Sequence, residues 1–377
     1  MAATSYHLFD MALTLPIPLA WYYAGTAKNF GAQPTLVALP GRDVVVYRDQ
    51  AGTLHAVQSH CPHMRSPLAK ARVRGDKLVC SLHNWAFDTR GVCSVIPGAR
   101  PHEIPAFACL DSFSVAEHMG HLFIHTAPGL GRTLPFFEGE NPADFACARL
   151  RTITGGNQWF AATANAFDLA HFEYVHKRSL MIEPVMRAPH AEARAIKLDY
   201  EIRSNAAADR FLVKRYGRRA QLDYVVWHGN LIFATTRVGK FVNRMMVVVH
   251  PTAAGFEAKL FVHTPRSRSP LKWVARELSA FFSRRFFVQE CEELEGVAID
   301  LARLGPRDEL IRDYLTWLQA RASGLGAAAP VQGRQIAEHD EAGDACLGQV
   351  IPERGHDPFP MIGGQRTPVQ ARSEVMS

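Results

Sequence analysis

The sequence predicts an α+β chain: a small N-terminal β-sandwich, then a larger domain in which helices flank an antiparallel sheet. Two observations carry this. Residues 20 to about 130 hold short β-rich runs ("PTLVALP", "DVVVYRD", "LHAVQS", "DKLVCSL", "HLFIHT") divided by Gly, Pro and Asp turns. From 136 to about 322, runs such as "LDYVVWHG", "LIFATTRVG" and "FVNRMMVVVHP" alternate with helical patterns. "APGLGRTLP" at 127–135 reads as a linker, so the predicted domains are 15–130 and 131–322. The stretch 323–377, rich in Ala, Gly, Pro and polar residues, is predicted to be a poorly ordered tail.

Composition bounds the functional classes. With 377 residues, 47% hydrophobic and 21% charged, the chain is globular and long enough for two cores. It lacks an apolar run of about eighteen residues, so no membrane span is expected. The apolar run "MALTLPIPLAWYYAG" follows no basic segment, which argues against a signal peptide. Cys93, Cys109, Cys147, Cys291 and Cys346 are irregularly spaced and read as reduced thiols of a cytoplasmic protein. No phosphate-binding, dinucleotide-binding or nucleic-acid-binding motif is present, so nucleic acid is not an expected partner.

The first chemical signal is a pair of pairs: Cys61-x-His63 and Cys80-x-x-His83, with sixteen residues between them. Each lies among turn-forming or small residues, as ligand-bearing loops would. A tetrahedral zinc site is one reading of two Cys and two His. Zinc fingers, however, usually group Cys with Cys and His with His, whereas each loop here supplies one of each.

That mixed order resembles the Rieske [2Fe–2S] cluster, in which two thiolates hold one iron and two imidazoles the other. Respiratory Rieske proteins carry further cysteines that bridge the two loops; those positions are Ser66 and Leu82 here. Asn84 and Trp85 follow the second His, where those proteins place a Ser that hydrogen-bonds a cluster sulfur. Fewer hydrogen bonds to sulfur imply a lower potential, as in the Rieske domains of oxygenases.

The second signal is "NAFDLAHFEYVH" at 165–176, with Asn165, Asp168, His171 and His176 in the spacing N-x-x-D-x-x-H-x-x-x-x-H. After a Rieske motif, this resembles the mononuclear-iron motif of Rieske non-haem iron oxygenases, with "GNQWFAATAN" as its lead-in. The resemblance implies that His171 and His176 are iron ligands and that Asp168 and Asn165 are catalytic. His171 and His176 are five apart and would point about 140° away from each other on a regular helix. A π-bulge or a break is therefore required. Asp168, three before His171, shares its face and could accept that residue's second ring N–H.

Two His and one carboxylate on one face of Fe(II) leave positions open for O₂ and substrate. The resemblance places the carboxylate in a helix of "FFSRRFFVQECEELEGVAIDLARLG" (281–305), among Glu290, Glu292, Glu293 and Glu295. At helical spacing Phe282, Phe286, Leu294, Val297 and Leu301 form an apolar stripe expected to face the core. Glu290 sits at its centre, Glu293 on its edge, and Glu292 and Glu295 well off it, so Glu290 is the predicted ligand. A solvated Glu on a differently phased helix is the plainer alternative.

The resemblance implies a terminal oxygenase of the single-subunit class, fed from NAD(P)H through a separate ferredoxin or flavin reductase. It would be a homotrimer that hydroxylates or oxidatively demethylates a bulky apolar ring substrate, aromatic or sterol-like, with O₂. A Rieske-type electron carrier without oxygenase chemistry is the alternative. The net charge of +6 is concentrated in "PRSRSPLKWVARELSAFFSRRFF" (265–287), where six basic residues face a single Glu277. A solvated helix face, a dock for an acidic electron donor and peripheral membrane contact all fit it.

Overall fold

The computed structural model describes residues 13–326 and 361–362. The predicted α+β class holds. A six-stranded antiparallel sheet runs in the order Trp21–Thr26, His121–Pro128, Ser112–His118, Leu54–Gln58, Arg42–Arg48, Thr35–Leu39. A four-stranded sheet follows the order Arg72–Arg74, Lys77–Val79, Ala86–Phe87, Cys93–Val95. Alternation puts Val45, Tyr47 and Val57 into a core with Leu68, Leu78 and Phe87 beneath the two Cys/His loops.

The second part is a nine-stranded antiparallel sheet whose longest strands are Ala193–Ile202, Arg219–Trp227, Leu231–Val238, Phe241–Thr252 and Gly255–Pro265. The helices are α1 (Ala161–Ala164), α2 (Leu169–Tyr174), α3 (Ala207–Tyr216), α4 (Pro270–Glu293) and α5 (Glu309–Gly326). Buried Ile196, Leu198, Val247 and Leu260 on one sheet face pack with Phe160, Phe167, Tyr314 and Leu318. Tyr314 stacks on Phe167 at 4.4 Å, and its hydroxyl lies 2.8 Å from Thr163 Oγ1, tying α5 to α1.

The other sheet face shares its core with the N-terminal sheet. Trp21, Phe123, Phe136 and Phe137 pack into one cluster with Trp227, Phe233 and Phe261. Buried histidines cross this seam, and Asn230 Nδ2 donates to Trp21 O at 3.0 Å. The two lobes are thus joined by apolar packing, which fixes their relation more firmly than a linker could.

Several expectations need correction. Strand His121–Pro128 runs into the predicted linker, and Leu134–Pro135 pairs with Met361–Ile362. Helix α5 continues to Gly326, past the predicted tail boundary; the rest of that tail lies outside the described residues except 361–362. Cys61, Cys80, Cys93, Cys147 and Cys291 are free as expected, but Cys109 is disulfide-bonded; Cys346 is outside the described residues. Helix α4 stops at Glu293, so Val297 and Leu301 do not extend its stripe. Phe282 and Phe286, the stripe's other members, are exposed rather than core-facing.

Candidate metal centres

The two Cys/His loops repeat one hydrogen-bond pattern. The Cys61 amide donates to Ser66 O and the Arg65 amide to Cys61 O, at 2.9 and 3.1 Å. Likewise the Cys80 amide donates to Trp85 O and the Asn84 amide to Cys80 O, at 2.9 and 3.0 Å. Arg65 and Asn84, each four residues after its Cys, both adopt φ 57°. Asn is well suited to that left-handed turn, whereas Arg is held there by the loop around it.

This pattern buries Cys61 and Cys80 and exposes His63 and His83. The two imidazoles meet edge to face at 4.7 Å. Burial pushes the Cys61 thiol up to about 11, the His63 amide pulls it back, and Cys80 adds to the rise. A thiol raised in this way becomes thiolate at neutral pH only against a metal. Sulfur donors inside and nitrogen donors outside fit the two irons of a Rieske cluster. Trp85, buried, stacks on His63 at 4.5 Å and 9° and fixes the plane of that ring. Sequence reading noted Trp85 but not this contact.

The second constellation brings together His171, His176, Glu290 and Glu293, whose ligand atoms all lie within 4.8 Å of one another. Asp168 caps α2 by accepting the His171 amide at 2.9 Å. The required break occurs: α2 ends at Tyr174, and the His176 amide bonds the His171 carbonyl five residues back, at 3.4 Å. That wider turn swings both Nε2 atoms inward, to 3.1 Å apart.

Glu290, in the last turn of α4, is 6% exposed; its Oε2 is 3.3 Å from His171 Nε2 and its Oε1 2.9 Å from His176 Nε2. Donors about 2.1 Å from one ion and at right angles stand about 3.0 Å apart, so the three pairwise distances fit adjacent corners of an octahedron. Glu290 Oε1 is buried and has His176 Nε2, at 2.9 Å, as its one polar neighbour among the described residues, as a carboxylate oxygen sharing an ion with that nitrogen would. Burial raises the Glu290 pKa, but hydrogen bonds and charge from His171 and His176 outweigh it, and the result is below the ordinary value. For His171, burial lowers the pKa while Glu290, Asp168 and Glu293 raise it, and the rise wins.

The predicted residues thus converge, with changed reasons for two. The hydrogen bond found for Asp168 runs to the His171 amide, not to its ring. Glu290 is buried not through an apolar stripe but because the inner side of α4 (Ala280, Ser283, Glu290, Cys291) meets α2 and the sheet. Asn165 Nδ2 donates to Glu290 Oε2 and holds that carboxylate. Of the two histidines Glu293 reaches only His171, at 3.9 Å; it is exposed and accepts a hydrogen bond from Gln289 Nε2 at 2.7 Å.

The Rieske [2Fe-2S] domain model matches residues 20–114, the stretch that holds all four cluster residues. Over 163 residues the chain is 32% identical to the oxygenase component of 3-ketosteroid-9-alpha-monooxygenase from Rhodococcus rhodochrous. The chain holds a Rieske [2Fe–2S] domain and resembles the oxygenase components of Rieske systems. The alignment covers 41% of this chain and spans 43% of that relative's length. Against the 4beta-methylsterol monooxygenase of Methylococcus capsulatus, identity is 24% over 279 residues, 70% of this chain and 74% of that one. The structure of Pseudomonas putida CBB5 NdmA with caffeine shares the fold: TM-score 0.55, 18% identity, covering 81% of this chain and 91% of that one. A Rieske oxygenase carries both a [2Fe–2S] cluster and mononuclear iron, and each constellation here has the donor set that one of them needs.

Proposed function

We propose that this chain is a Rieske non-haem iron oxygenase, the terminal component of a multi-component system reduced by a separate NAD(P)H-dependent ferredoxin or flavin reductase. It uses O₂ to hydroxylate or oxidatively demethylate a bulky apolar ring compound, aromatic or sterol-like. Cys61, His63, Cys80 and His83 hold the cluster; His171, His176 and Glu290 hold the mononuclear iron. The observation that carries this is the triad of donors from His171, His176 and buried Glu290 at 2.9 to 3.3 Å from one another. The names of the ketosteroid and methylsterol relatives support the substrate class. We also propose domains at 15–130 and 131–322, a cytoplasmic homotrimer, and contact of the α4 face with a membrane surface. Among the described residues no helix is long and apolar enough to cross a membrane.

When bound, the cluster supplies single electrons and the mononuclear iron supplies O₂ activation. The protein's part is positioning. Asp168 anchors the main chain of His171, and Asn165 orients the Glu290 carboxylate, so the three donors stand ready without rearrangement. Phe286 and Phe172 flank the His176 ring, with centroids at 5.3 and 6.4 Å, and limit its rotation. Oxygenase and pure carrier separate on metal content: about three irons per chain against about two, beside the same acid-labile sulfide. Reductase-coupled turnover under ¹⁸O₂ with pooled steroid and aromatic candidates then reads the product. Two irons and no labelled product would sink the oxygenase reading.

A further inference from the structure

Helix α4 carries its largest apolar side chains on the outside. Leu271, Val274, Leu278, Phe281, Phe282 and Phe286 are 44% to 79% exposed. At 100° per residue these six lie within an arc of about 140°, a continuous stripe up the helix. The inner side is the one that buries Ala280, Ser283, Glu290 and Cys291, so the stripe is not a core face in the wrong register. An exposed apolar row of this length marks an interaction surface.

Charge selects the occupant. Arg268, Lys272, Arg284 and Arg285 are exposed beside the stripe. The single acid between 265 and 289, Glu277, is engaged by Arg151 at 3.3 Å and by the Arg149 amide. A second copy seated on this face across a two-fold axis would bring these cations against each other, and a heterologous contact, as in a trimer, is told apart by the light-scattering arm of the test. An acidic electron donor would match the charge but leave the apolar row without a purpose. The stripe leads to the iron site: Phe286, its last member, lies 5.3 Å from the His176 ring.

We infer that the outer face of α4 docks on an anionic lipid bilayer, so that an apolar ring substrate dissolved in the bilayer enters beside His176. The apolar row inserts at the acyl boundary while the Lys and Arg side chains meet anionic headgroups. The purpose of the contact rests on the proposed substrate class; the contact itself does not, because it is read without turnover.

The test is co-sedimentation of the metal-loaded protein with vesicles of phosphatidylcholine alone or mixed with phosphatidylglycerol. Binding is expected only to the mixed vesicles, and it should weaken as salt rises. Leu278→Glu/Phe281→Glu, and separately Arg284→Glu/Arg285→Glu, should each lower the partition coefficient by about tenfold or more with iron content unchanged. No binding to the mixed vesicles overturns the inference. So does a Leu278→Glu/Phe281→Glu protein that binds vesicles normally but has a smaller light-scattering mass, because the face would then be an interface between copies. Loss of reductase-driven cluster reduction in the arginine variant, with vesicle binding intact, overturns it in favour of the electron donor.

Discussion

His118 Nε2 lies 2.8 Å from His263 Nε2, linking a strand of the N-terminal sheet to one of the nine-stranded sheet, and both side chains are buried. Nearby, the Tyr23 amide donates to His250 Nε2 at 3.2 Å, which requires that nitrogen to be unprotonated. The seam between the lobes is therefore closed by neutral imidazoles.

Its stability should fall in acid. Burial, with His121 nearby, pushes His118 down to about 4; burial, then Lys259, pushes His250 down to about 3. The unfolded chain takes up these protons near pH 6.5 while the folded chain does not. The stabilisation is thus complete above about 6.5 and is lost as pH falls toward 4 and then 3. His118 alone contributes on the order of 3 kcal/mol. Urea denaturation between pH ~7 and ~4.5 should show this slope, and His118→Gln should flatten it. An equal slope in both proteins would place the acid sensitivity elsewhere.

Replacing Glu290 by Ala should reduce mononuclear iron more than about tenfold, since two neutral imidazoles do not offset a divalent charge as a carboxylate does. The cluster's visible spectrum should be unchanged. Glu292→Ala, Glu293→Ala and Glu295→Ala should keep iron and most activity. Iron retention by Glu290→Ala together with loss from Glu293→Ala would reassign the ligand.

Asn165→Ala removes the donor that orients Glu290, and should weaken iron binding by about 10- to 100-fold, measured by chelator competition. Asp168→Asn should behave differently. Asn also caps helices well, so α2 and both metal centres should persist while turnover nearly disappears with the charge beside His171. A fully active Asp168→Asn enzyme would reduce Asp168 to a cap.

Gly91 has φ 91°, and a Cβ there would stand 2.3 Å from Leu110 O and 2.7 Å from Ser112 Oγ. Gly91→Ala should therefore destabilise the cluster lobe by about 2 kcal/mol or more. Thermal loss of the cluster's visible absorbance should shift to lower temperature, with the iron site less affected. An unchanged transition would mean that the turn moves freely.

What the sequence determined by itself was local chemistry. Cys61, His63, Cys80 and His83 lie on two short loops whose turn residues are legible, so donors and loops could be read together. The five-residue step from His171 to His176 demanded a broken helix, because 3.6 residues per turn cannot aim both at one ion. The third candidate ligand was different. Glu290 is 119 residues from His171, and which acid meets the histidines depends on how α4 is rotated against α2 and where it ends. The apolar stripe pointed to Glu290 for a reason the fold reverses, since Phe282 and Phe286 face outward. Sequence periodicity locates a stripe but does not say whether core, partner or lipid covers it. His118 and His263, 145 residues apart, meet only because two sheets pack face to face. Contacts across such distances follow from tertiary packing, and no local spacing records them.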